Sequence, residues 1–188
     1  MCPTHDIPLL RQLNPTDRDR IIASLKPKSF CKGEHVILPG ETQHELYFVQ
    51  RGVQMAYMDC AAKTQVVAFA YPPDWWAIPG SFALQVPSRY SVMCLLDSDV
   101  LYLTFDELQC LFDQSQAIER FFRLQTEGAL ARLVNRQFDL LTLSMGERYR
   151  AFCKRSPHLL QLIPHKYIAS YLGIDPTNFS KLFNQVRI

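Results

Sequence analysis

The sequence predicts an α+β fold in three segments: an N-terminal β-roll over residues 1–114, a long helix over 115–143 and a compact helical module over 144–188. Three observations carry this expectation. Between Pro27 and Leu103, short stretches rich in β-branched and aromatic residues alternate with turn signals. From Ser115 to Leu143 there is no proline and one glycine, and apolar residues recur at helical spacing. At Ser144 the charge balance reverses. Residues 1–143 hold 13 Lys/Arg against 16 Asp/Glu, a net −3, whereas residues 144–188 hold 7 against 2, a net +5. A basic module behind a mildly acidic body points to a polyanionic partner.

The elements follow in order. Asn14-Pro15 supplies a cap and a proline at the first helical position, opening a helix to about Leu25 with Ile21, Ile22 and Leu25 on its buried side. Strands are expected at Ser29–Cys31, Glu34–Leu38, Glu45–Arg51, Gln54–Met58, Gln65–Tyr71, Tyr90–Leu95 and Asp99–Leu103. Pro39-Gly40 suits the centre of a type II turn, and Lys32-Gly33 and Arg51-Gly52 mark other reversals. Many short strands joined this way imply a roll or sandwich. Thr104 with Glu107 forms a capping box for a short helix.

In the long helix, Ile118, Phe121, Phe122, Leu124, Leu130, Leu133, Val134, Phe138 and Leu141 cover more than one stripe. Such a helix can pack on its own domain and on a second copy, so a homodimer is expected; Gly128, Ala129 and Ala131 would let two helices approach closely. Ser144 with Glu147 is another capping box, opening a helix to about Arg155, and Pro157 and Pro164 bracket a short segment beyond it.

Composition narrows the function classes. The chain has 188 residues, 48% hydrophobic and 20% charged, the balance of a folded protein. The best membrane-span candidate, Val66 to Phe82, is broken by Pro72-Pro73-Asp74 and Pro79-Gly80, and the N-terminus lacks a basic segment followed by an apolar core. A cytoplasmic location without membrane attachment is therefore expected. Cys2, Cys31, Cys60, Cys94, Cys110 and Cys153 lack C-x-x-C spacing and read as buried reduced thiols. The five histidines are equally dispersed, so neither a metal nor a cofactor is expected.

The last twenty-five residues are the most informative. Pro164 opens a helix through Leu172, Gly173 stops it, and Asp175-Pro176 starts another reaching about Arg187. Ala169 is small where two helices would cross, and Gly173 gives the turn its positive φ. Ile168, Leu172, Ile174, Phe179 and Leu182 would join the pair. This is the pattern of a helix-turn-helix. Thr177, Asn178, Lys181, Asn184 and Gln185 remain for the exposed side of the second helix, where such side chains read base edges; Lys166 and Arg187 suit phosphate contacts.

With these motifs the sequence resembles the Crp/Fnr family of bacterial transcription regulators. The resemblance rests on Lys32-Gly33-Glu34, Gly40-Glu41, Leu46-Tyr47-Phe48-Val49 with Gly52, Asp99-Val100-Leu101, and Ile168-Ala169-Ser170-Tyr171-Leu172-Gly173-Ile174. It implies a cyclic-nucleotide-binding-domain-like double-stranded β-helix, a dimerisation helix and a DNA-binding helix-turn-helix. It also implies a homodimeric regulator on an inverted-repeat site in double-stranded DNA, with RNA polymerase as a further partner and an effector of unknown identity.

Three departures qualify it. Cyclic-nucleotide-binding members carry Gly-Glu and then Arg-Ser/Thr-Ala. Here Gly80 is followed by Ser81, and Ser88 stands in the Arg column with Arg89 one residue away. A one-residue shift on a strand turns a side chain to the other face, so the pocket of Gly80, Ser81, Ser88 and Arg89 reads as degenerate and unable to bind cyclic AMP; a bulge would instead return Arg89 to it. Trp75, Trp76, Ile78, Phe82 and Leu84 would fill the cavity, or reshape it for an apolar ligand. Members with an iron–sulfur cluster use several closely spaced N-terminal cysteines, and Cys2 stands alone. Many relatives add a two-stranded wing after the recognition helix, whereas the sequence ends at Ile188, so wing contacts to phosphate are expected to be missing. Two other readings stay open. One is a cupin-like metalloenzyme drawing on His35, His44 and nearby acids; the other is a ligand sensor whose C-terminal helices serve only protein interactions. The regulator reading expects no enzymatic activity.

Overall fold

Asn14 opens the first helix as its sequence suggests. Its side chain accepts the Asp17 N–H at 2.9 Å, and α1 runs Pro15–Ser24 after a 3₁₀ turn at Pro8–Gln12. The structure, a computed structural model, describes residues 7–60 and 63–185. It divides into two compact units, Met1–Met55 with Phe69–Glu127, and Ala56–Ala68 with Gly128–Ile188.

The roll makes up the first unit, except for residues 56–68 of its strands, which group with the second unit. Its strands are β1 (Lys26–Phe30), β2 (His35–Ile37), β3 (Glu45–Arg51), β4 (Gln54–Cys60), β5 (Lys63–Ala70), β6 (Trp75–Trp76), β7 (Ser91–Cys94) and β8 (Ser98–Thr104), with α2 (Pro79–Leu84) between β6 and β7. They form two four-stranded sheets, ordered β1-β8-β3-β6 and β2-β7-β4-β5. Strand β3 runs antiparallel to β8, with Tyr47 opposite Tyr102 and Phe48 opposite Leu101. Alternation sorts its side chains. Leu46 and Phe48 join Leu101, Leu103, Ile21, Leu108, Leu111 and Ile118 in the main core, which is capped by α3 (Phe105–Gln114) and the start of α4 (Gln116–Thr142). Tyr47 turns the other way, to Phe30, Cys94, Val100 and Trp76. Both faces of β3 are thus covered, which is why Leu46–Val49 is uninterruptedly apolar.

Several expectations shift. Strand β1 includes Pro27, paired with Leu101; it is an edge strand, where a missing N–H costs no ladder bond. Helix α2 and the two-residue β6 were not expected, being too short to show a period. The apolar bulk near them does not fill one cavity. On β6, Trp76 stacks on Tyr47 (5.1 Å), while Trp75 points to the opposite face against Phe48 (5.1 Å) and Phe122 (5.3 Å). Phe82 lies in the main core and Leu84 is exposed. Three thiols expected to be buried are exposed: Cys31 just past β1, Cys60 at the end of β4 and Cys110 on the outer side of α3. Cys94 and Cys153 are buried, and all five are free. Burial pushes the Cys94 thiol up to about 11. Cys2 lies outside the described residues.

Two turns behave as the sequence implies. The Leu38–Glu41 turn closes with a bond from Glu41 N–H to the Leu38 carbonyl (3.2 Å), and Cys31–Glu34 closes likewise at 3.0 Å. At Gly52, φ is +97° and the backbone of Asp97 and Ser98 presses so close that any Cβ would collide with it.

In the second unit, α4 continues beyond Gly128 and is followed by α5 (Met145–Arg155), α6 (Leu159–Leu162), α7 (His165–Leu172) and α8 (Pro176–Gln185). Both predicted capping boxes form: the Thr104 and Ser144 side chains accept N–H bonds from Glu107 and Glu147, whose carboxylates reach back. Tyr149, Phe152, Leu159, Ile168, Leu172, Ile174 and Phe179 are buried. Among the described residues, no helix is long and apolar enough to cross a membrane.

Candidate nucleic-acid interface

The turn between α7 and α8 sets the geometry of the helix pair. Gly173 takes φ +62°; its N–H bonds to the Ser170 carbonyl (3.1 Å) and the Ile174 N–H to the Ala169 carbonyl (2.9 Å). These are the two bonds of a Schellman motif, and they need a left-handed residue at that position. Asp175 then accepts the Thr177 N–H at 2.9 Å, capping α8. Ala169 is buried on α7, and Phe179 of α8 packs edge-on against Tyr149 of α5 (5.5 Å) and near His165 (5.5 Å). Leu182, expected as a joining residue, is only half-buried, over Gly146, while Phe183 lies on the His165 ring at 4.3 Å.

With Phe179 inward, Thr177, Lys181 and Asn184 are exposed at spacings of four and three, a single outer face of α8. Asn178 is half-buried on the flank. Ser180, which sequence reasoning passed over, is exposed beside that face, its hydroxyl donating to the Pro176 carbonyl. Nothing is described of the Gln185 side chain, and Arg187 lies outside the described residues. Lys166 is exposed in the first turn of α7, which holds no acidic residue and no side-chain cap. A cation there opposes the helix dipole, so Lys166 does not serve helix stability; the positive end of the dipole and the ammonium together favour an anion.

The start of β5, at Thr64, Gln65 and Val66, lies against α7. The Ser170 hydroxyl donates to the Thr64 carbonyl (2.7 Å) and accepts the Val66 N–H (3.0 Å), and the Gln65 amide donates to the Ser170 carbonyl (3.0 Å). Arg136 of α4 bonds the Tyr171 carbonyl (2.8 Å) with its guanidinium 4.3 Å from the Tyr171 ring centre. Arg148 of α5 bonds the carbonyls of Leu143 (2.8 Å), Leu140 (3.3 Å) and Gly173 (3.3 Å), tying α4 to the turn. Residues so far apart in the chain leave no spacing signal, and Ser170, Arg136 and Arg148 were not singled out from sequence.

In the roll, the four residues of the degenerate pocket are engaged locally or turned outward. Gly80 and Ser81 lie in the first turn of α2. The buried Ser81 hydroxyl accepts the Gln43 N–H (2.9 Å) and donates to the Val86 carbonyl (2.8 Å). Buried Ser88 exchanges bonds with the Tyr90 backbone, and Arg89 is exposed. A neighbouring cleft of about 270 Å3 is bordered by Val36, Glu41, Gln43, His44, Glu45 and Tyr47. Its charged groups are carboxylates, with Glu45 held by Lys28 at 2.9 Å and by the Tyr47 hydroxyl. Burial, with the Glu45 carboxylate beside it, raises the Tyr47 phenol far above its usual range. His44 Nδ1 is 2.7 Å from the Gln85 amide oxygen, and among the described residues no three His, Cys, Asp or Glu side chains gather as metal ligands.

No family model and no curated protein matches the sequence. Solved structures do match it. FixK2 from Bradyrhizobium japonicum superposes with a TM-score of 0.76 at 18% identity, over 86% of this chain and 83% of its own. A transcriptional regulator from Eubacterium rectale assigned to the Crp/Fnr family gives 0.70 at 14% identity, over 95% and 85%. The catabolite activator protein of Thermus thermophilus gives 0.60 at 17% identity, over 95% and 85%. Roll, long helix and C-terminal helix pair together make the fold of this chain that of the Crp/Fnr regulators.

Proposed function

We propose that the protein is a sequence-specific, DNA-binding transcription regulator that acts in the cytoplasm as a homodimer. One observation carries the reading: α8 is held by the Gly173 turn and the Phe179 core so that Thr177, Lys181 and Asn184 form one exposed outer face, and Lys166 of α7 is exposed as well. These side chains suit base edges and phosphates in a major groove. Asn178 is assigned to the margin of the same surface.

Dimerisation is assigned to α4. Leu130, Val134, Phe138 and Leu141 follow one another at steps of four, four and three, and all are exposed, Leu141 at 73%. A two-fold pairing of this stripe would set two recognition helices ~34 Å apart, matching an inverted repeat. RNA polymerase is proposed as a further partner. The roll is proposed not to bind cyclic AMP, because a cyclic phosphate needs an aimed cation, while Arg89 is exposed and the nearest cleft carries carboxylates. No residue is assigned a catalytic role.

Selection of genomic fragments by the purified protein tests the reading. Enrichment of an inverted repeat, with binding that weakens steeply in salt, is the expected outcome. Recovery of fragments without a shared motif would sink it in favour of a protein-interaction module.

A further inference from the structure

A second charged site stands apart from the outer face of α8. The last turns of α4, one side of α5 and the end of α7 enclose a narrow cleft bordered by Arg136, Asp139, Arg148, Ala151, Arg155 and Tyr171. Three guanidinium groups border it with one carboxylate. Among the described residues, none of the three arginines forms an ion pair. Their acceptors are neutral: the backbone carbonyls of Val66, Tyr171, Leu140, Leu143 and Gly173, and the Tyr171 hydroxyl, which accepts from Arg155 at 3.1 Å. The Nε atoms of Arg136 and Arg148 are buried and have no hydrogen-bond partner. Burial lowers the pKa of the Arg136 guanidinium from its ordinary value, and the like charge of Arg155 acts in the same direction.

A buried charge is stable when paired, and carbonyl dipoles alone do not neutralise one. We infer that this cleft is a binding site for a small phosphate-type oxyanion. The cleft has a volume of about 20 Å3, room for one oxygen of the size of a water between the guanidiniums. Arg155 and Ala151 are exposed at its rim, so the remainder of the anion sits at the mouth, where the Arg155 fork can hold it. The site rests on side chains of α4, α5 and α7, and its occupancy bears on the Arg136 and Arg148 bonds that fix α7 and the Gly173 turn.

The test uses the full chain, without DNA, so its outcome is independent of the DNA-binding reading. Inorganic phosphate and pyrophosphate are titrated against sodium chloride of equal ionic strength while the arginine Nε–H signals are followed by NMR. Saturable shifts at Arg136 and Arg148 are expected with the phosphates and not with chloride. Arg155→Gln, a change at an exposed residue with one bond, should raise the midpoint about tenfold. Asp139→Asn removes the one carboxylate and should lower it about threefold or more. A response no different from chloride, or midpoints unmoved by both variants in folded protein, overturns the site.

Discussion

Phe179→Ala removes the residue that fastens the second helix of the pair. The ring is 1% exposed, meets Tyr149 edge-on at 5.5 Å and 86°, and lies 5.5 Å from the His165 ring. Truncating a buried phenylalanine costs about 3–5 kcal/mol, of which the edge-to-face contact contributes about 1 kcal/mol. Set against a typical domain stability of about 5–15 kcal/mol, the variant stays folded but weakened. With a urea slope of about 2 kcal/mol/M, the unfolding midpoint should fall by about 2 M. Far-UV circular dichroism reads the helices, which dominate the second unit, while Trp75 and Trp76 report on the roll alone. The dichroism midpoint should therefore fall below the fluorescence midpoint. Phe179→Leu keeps most of the volume and should cost about 1.5 kcal/mol or less. A loss under about 1 kcal/mol for Phe179→Ala, in the range of a surface change, would refute the claim that this ring anchors α8.

Lys181→Ala should weaken specific DNA binding by about 1–3 kcal/mol and relax preference at one position, whereas Lys166→Ala should weaken all sequences alike and flatten the salt dependence. Fluorescence anisotropy across a salt series separates them, and an unchanged Lys181→Ala would move the recognition surface elsewhere. Placing Asp at both Phe138 and Leu141 strips two large apolar side chains from each α4, and at about 1.5–3 kcal/mol for each a dimer should give way to monomer at micromolar concentration. Light scattering decides this, and a variant that keeps the mass of the parent would remove α4 from the interface. Calorimetric titration with cyclic AMP and cyclic GMP should show no binding. Micromolar affinity abolished by Arg89→Ala would return Arg89 to a working nucleotide pocket.

What could be read directly from the sequence is what is settled within a few residues. The boxes at Thr104/Glu107 and Ser144/Glu147, the Asn14 cap, the turn at Leu38–Glu41 and the Schellman end at Gly173 each join partners three to five positions apart, so residue type and spacing suffice. Periodicity likewise placed α4, the longer strands and the inward set Ile168, Ala169, Leu172, Ile174 and Phe179. Elements too short to show a period, β6 and α2, escaped, and so did Pro27 in β1, because only the sheet order reveals an edge. Trp75 and Trp76 looked like joint filling, yet adjacent strand positions face opposite ways, and the tertiary structure sends each to a different core. The docking of Ser170 on Thr64 and Val66, across 104 to 106 positions, and the convergence of Arg136, Arg148 and Arg155 on one cleft belong to tertiary structure alone. Contacts between residues so distant in the chain impose no local spacing, and only the closed fold brings those groups within bonding range.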